Sequence, residues 1–164
     1  MFNVGDTIIY STHSLCKIDE ISEQNYGNTT RSYYVLHPLE NSKLSITIPV
    51  DSKQVIMQKV MEKEEANEIM DSFLMPGVEW IENVRQRTKE YKRLINTGDR
   101  KEIAKVVITL MEKKLEAKKE KKKIHDHDRV LLENIQNIMY RELAVSLDTS
   151  YEEIAEKIRH MISQ

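Results

Sequence analysis

The chain has one tryptophan, Trp80, which follows the turn Met75-Pro76-Gly77 and opens the most basic stretch of the sequence. Arg85, Arg87, Lys89, Lys92 and Arg93 come directly after it. A large aromatic ring beside arginines and lysines suits nucleic acid: the ring wedges against a base step while the cations neutralise phosphates. The same indole more commonly caps a hydrophobic core, because tryptophan is highly buried on average. On these residues alone both readings stand.

Elsewhere the reactive groups do not converge on a catalytic centre. There is no G-x-x-x-x-G-K-[ST], G-x-G-x-x-G or H-E-x-x-H pattern, and the 4 glycines are too few for the usual phosphate-cradling loop. His125-Asp126-His127-Asp128 is the one run that resembles metal ligands. Residues two apart on a helix do not share a face, so helix capping by Asp126 or Asp128 is the expected role. His13, His37 and His160 are isolated. Tyr10, Tyr26, Tyr33 and Tyr34 invite comparison with an aromatic cage for methylated lysine, but neighbours on a strand point to opposite faces, which favours packing. Cys16 sits in an apolar run and is expected to be a small buried hydrophobe in a reducing cytoplasm. No catalytic residue, metal or cofactor is expected.

At 164 residues, 40% apolar and 32% charged, the chain suits one globular domain or two small ones, taking roughly 100–200 residues per domain. No run of about 18 apolar residues is present to span a membrane, and Met1–Asp6 lacks the regions of a signal peptide. The net charge of −2 conceals a segregation. Residues 81–130 hold 16 basic and 9 acidic side chains, while residues 61–80 hold 1 and 6. The +7 central segment favours an anionic partner on one face. The lysine run of residues 113–123 reads either as a solvated helix end or as long-range attraction to a polyanion.

The elements that must position these residues fall into two kinds. Thr7–Tyr10, Leu15–Ile21, Arg31–Leu36, Lys43–Ile48 and Val55–Met57 are β-branched or aromatic runs of strand length, separated by turn residues. Strict alternation in Leu44-Ser45-Ile46-Thr47-Ile48 buries one face, and Pro49 ends ladder donation there. Five short strands in so little chain imply a small curled barrel over residues 1–60. From residue 61 to 164 the period becomes helical. Ala66, Ile69, Met70, Phe73 and Leu74 mark the first helix, and Trp80, Val84, Tyr91 and Ile95 the second, which ends at Thr97-Gly98. Asp99 with Glu102 has capping-box spacing ahead of a third helix presenting Ile103, Val106, Val107, Leu110, Met111 and Leu115. A fourth starts near Asp126–Asp128, and a fifth at Ser150 with Glu153. The expected fold is α+β: a β-barrel followed by a bundle of about five helices.

The order of these features resembles the CarD/CdnL family of bacterial transcription regulators. The likeness runs through Phe2–Tyr10, His13, Tyr33–Leu36 and Ile48–Asp51. It continues at Trp80 before a basic helix, Gly98-Asp99, Ile103–Val107, Leu110, Asp128-Arg129, Leu131-Leu132, Ile138 and Glu142-Leu143, covering about residues 1–147.

The resemblance implies a Tudor-like (SH3-like) RNA-polymerase-interacting barrel whose edge strand pairs with the polymerase β subunit, a mode in which main-chain bonds give affinity. The matching residues are Leu44, Ser45, Ile46, Thr47 and Ile48. It also implies a helical domain contacting promoter DNA from the minor groove at the upstream edge of the melted region, modulating open-complex stability. Trp80 would be the wedge, and Arg85, Arg87, Lys89, Lys92 and Arg93 the phosphate contacts. DNA binding by the chain alone is expected to be weak and non-sequence-specific, and the protein cytoplasmic, nucleoid-associated through polymerase. Three places depart from the family pattern: Ser14-Leu15-Cys16 after the matching histidine, Thr47 where some relatives are basic, and Glu82 close behind the tryptophan. They leave open an adaptor of divergent CarD-like fold with little DNA contact.

Overall fold

A computed structural model describes residues 1–10, 14–54 and 57–164. His13 and the Val55-Ile56 part of the expected fifth strand lie outside the described residues. The chain divides into two compact units, Met1–Val60 and Met61–Gln164.

The first unit is one antiparallel sheet of β1 (Thr7–Tyr10), β2 (Ser14–Tyr26), β3 (Thr29–Pro38), β4 (Ile46–Pro49) and β5 (Met57–Lys59), in the order β4-β3-β2-β1-β5. It is the five-stranded sheet of a Tudor-like barrel. β2 and β3 run longer than expected. Of residues 24–28, read as turn, Gln24, Asn25 and Tyr26 instead extend β2, while Gly27 and Asn28 make the turn, and the Gly27 φ of +62° suits the first central position of a two-residue hairpin. The register slips between Ile18 and Glu20, a bulge that bends β2 and helps the sheet curl. Ile8, Cys16, Ile18, Tyr34, Leu36 and Ile48 fill the core. Tyr34 is buried while Tyr33 is only half-buried and Tyr26 is exposed at the hairpin end, so these tyrosines form no cage. Burial pushes the Cys16 thiol pKa up, away from nucleophilic chemistry.

The second unit holds α1 (Lys63–Ser72), α2 (Val84–Asn96), α3 (Arg100–Lys119), α4 (Asp126–Ser146) and α5 (Tyr151–Ser163). α3 is the central helix, packed by all four others. That corrects the one-sided apolar face expected of it. Ala104 and Val106–Leu110 are all buried, while Ile103, Met111 and Leu115 lie at the margin. Asp99 caps α3 by accepting from the N–H groups of Lys101 and Glu102, and Ser150 caps α5 through Glu153 N–H. At α4 the expectation fails: His125 is the cap, its Nδ1 accepting from His127 N–H. Asp126 is exposed in the first turn, and Asp128 turns inward. Leu74, expected on the buried side of α1, is exposed because the helix ends at Ser72.

Candidate functional site

The β4 edge comes first. Leu44 and Ser45 lie outside the ladder and are exposed, so the expected strand Leu44–Ile48 is shifted to Ile46–Pro49. β4 ends the sheet, with β3 as its neighbour on one side. Val50 N–H donates to Ser32 C=O at 3.0 Å, so Val50 faces β3. Main-chain direction alternates along an antiparallel strand, so Ile48 and Ile46 also bond β3. Thr47 therefore points its N–H and C=O at the open edge, and Pro49 offers a carbonyl but no donor. The edge is short, with one outward donor inside the strand.

Trp80 does not begin a helix. Residues 77–82 run across α3, with Thr109 Oγ1 donating to Val78 C=O at 2.8 Å and Tyr91 OH to Glu79 C=O at 2.9 Å. α2 starts only at Val84, where Asn83 Oδ1 accepts from Gln86 N–H. The indole is half-buried and packs at the rim of the helical core. One portion of the indole anchors the segment, as the core reading expects, and the rest meets solvent.

Beneath it lies a group expected on the surface. Arg87 is 3% exposed, and its guanidinium carbon sits 4.1 Å from the centre of the Trp80 ring. Its Nε and Nη2 donate to Asp128 Oδ1 and Oδ2 at 3.0 and 2.6 Å, a bidentate pair. Its Nη1 donates to the carbonyls of Ile81 and Glu82 at 2.7 and 3.2 Å. The expectation that Arg87 contacts phosphate is therefore corrected: its donors are spent inside the protein. Bringing two charges out of water is expensive unless they are paired and hydrogen-bonded, and here the carboxylate and the two carbonyls accept four bonds from the guanidinium.

The remaining expected cations divide by helical spacing. Arg85, Lys89 and Lys92 stand at i, i+4 and i+7, one exposed stripe of α2, and make no ion pair among the described residues. Arg93 is held by Glu90 through two donors, at 3.0 and 2.6 Å, and Arg93 keeps the Glu90 carboxyl below the usual carboxylate range. Lys113, read in the sequence only as the start of the lysine run, also meets Trp80. Its Nζ lies 4.9 Å from the Trp80 ring centre, linking the indole to the lysine-rich end of α3. Lys114, Lys118, Lys119 and Lys121–Lys123 beyond it are exposed.

The second unit therefore offers an aromatic face beside cations and the first a polar strand edge, each the material of recognition. Among the described residues there is no cluster of His, Cys, Asp or Glu able to hold a metal ion, and no helix long and apolar enough to cross a membrane. The rings of His125 and His127 do stack, at 5.2 Å, because His125 stands before the helix.

Residues 2–61 match the model of the CarD-like/TRCF RID domain, and residues 68–159 that of the CarD C-terminal domain. The chain is 27% identical over 146 residues to a protein of Bacillus subtilis (strain 168) named "Putative transcription factor YdeB", covering 88% of this chain and 92% of that one. With the second match spanning more than half its length, this chain belongs to the CarD family, a family of transcription regulators rather than enzymes, and carries at its N-terminus an RNA-polymerase-interaction domain.

Proposed function

We propose that this protein docks on the RNA polymerase β subunit through the outward edge of β4, centred on Thr47. Its helical unit then presents Trp80 to promoter DNA from the minor groove, at the upstream edge of the melted region, and modulates open-complex stability. The observation that carries this reading is the half-buried indole set among cations, with Lys113 4.9 Å from its ring. Arg85, Lys89 and Lys92 are the phosphate contacts on α2, joined by the exposed lysines at the end of α3. Phosphate contacts position a protein without reading sequence, so DNA affinity of the isolated chain is weak. No cofactor is required, and the protein works in the cytoplasm, on the nucleoid. A photo-crosslinker installed at position 80 tests the proposal in complexes of polymerase, promoter and this protein. Crosslinks to DNA at the upstream edge of the bubble support it; crosslinks to protein alone count against it.

The second reading, a polymerase-bound adaptor with little DNA contact, is favoured by one observation. Of the five basic residues expected at phosphate, Arg87 is buried and Arg93 is paired. DNA crosslinks at the bubble edge would exclude it.

A further inference from the structure

We infer that Arg87 and Asp128 are positioning residues for Trp80, an inference that rests on the reading of Trp80 as the DNA contact. The two carbonyls bound by Arg87 Nη1 belong to Ile81 and Glu82, the residues that directly follow the tryptophan. The other side of the same planar group holds both oxygens of Asp128, in the first turn of α4. Its face lies against the indole. One guanidinium thus ties down the backbone behind Trp80, supports its ring and joins both to α4. A lysine ammonium is a point charge and cannot reproduce that fork and plane. Asp128 is 3% exposed and is not the cap of its helix, so its carboxylate is given over to Arg87. With the indole ordered in the free protein, less ordering is left to occur on binding.

The test uses the full chain with polymerase and promoter, and two readouts: Trp80 fluorescence, clean because the chain has one tryptophan, and open-complex lifetime. The variants are Asp128→Asn, Arg87→Lys and the paired Arg87→Met/Asp128→Leu. The pair removes both charges together, an exchange that folded proteins often tolerate where a single deletion is not. Folded variants should shift the emission and acrylamide quenching of Trp80 and weaken the protein's effect on lifetime. Made again in a Trp80→Ala background they should add no further loss, a coupling of roughly threefold or more. Unchanged fluorescence, or an equal loss in both backgrounds, would overturn the inference. If Trp80→Ala alone leaves lifetime unaltered, the DNA-contact reading fails, while fluorescence still decides whether Arg87 and Asp128 hold the indole.

Discussion

Gly77 runs so close to Thr109 that a Cβ built on it would meet the Thr109 hydroxyl at 2.2 Å and the Lys105 carbonyl at 2.8 Å. That approach lets the Thr109 hydroxyl reach Val78 C=O and sets the course of the chain toward Trp80. Gly77→Ala is expected to destabilise the protein by about 1–3 kcal/mol, since overpacking forces the backbone aside, and to change the emission of Trp80. Chemical denaturation followed by fluorescence checks both; an unaltered midpoint would mean the segment is not seated as described.

The stripe Arg85, Lys89 and Lys92 should behave differently from Arg87 in a salt titration of DNA binding. Each exposed cation changed to Ala is expected to lower the slope of log K against log salt by about 1 if it meets a phosphate. Arg87→Lys should leave that slope alone, because Arg87 is withdrawn from the surface. Equal slopes for all four variants would remove the distinction.

Proline substitution along β4 separates docking from folding. Thr47→Pro deletes an outward donor and is tolerated at an edge, so the variant should stay folded and lose polymerase in a pull-down. Ile46→Pro deletes a donor facing β3 and should cost about 1–3 kcal/mol of stability. Full retention of polymerase by folded Thr47→Pro would discount this edge.

Lys121 closes α3 with φ of +57°, in the left-handed region, while Lys122 N–H donates to Ala117 C=O at 2.7 Å. Side chains other than glycine are strained there by about 1–2 kcal/mol, and glycine is the usual residue at such a helix end. Lys121→Gly should raise stability by about 1 kcal/mol, measured by thermal unfolding; a lowered melting temperature would contradict the strain.

Much of the fold was legible because period and punctuation are local signals. The switch from alternating residues such as Ile46 and Ile48 to the spacing of Ala66, Ile69, Met70 and Phe73 marks strands from helices without tertiary knowledge. Gly98, Asp99 and Ser150 mark helix ends in the same way. The site was harder, because partners distant in sequence decide which way a side chain turns. Arg87 counted as a surface cation by composition, yet it stands four residues before the buried Tyr91 and so shares its face. That spacing was the available clue, but Asp128, its partner, is 41 residues away. The start of α2 was misjudged for the same reason: the apolar stripe from Trp80 looks helical, while contacts to Lys105 and Thr109 hold that segment in another course. Lys113 reaches Trp80 only through the packing of α3, and no local pattern announces it.

Whether Trp80 acts on promoter DNA is decided by the lifetime of the open complex. Trp80→Ala should cost about 2 kcal/mol of stability, less than the 3–5 kcal/mol of a fully buried aromatic, so the variant remains folded and still co-purifies with polymerase. The wild-type chain should change the lifetime of open complexes, and Trp80→Ala should return it to the value of polymerase alone. A folded, polymerase-bound Trp80→Ala protein that shifts the lifetime as fully as wild type would contradict it.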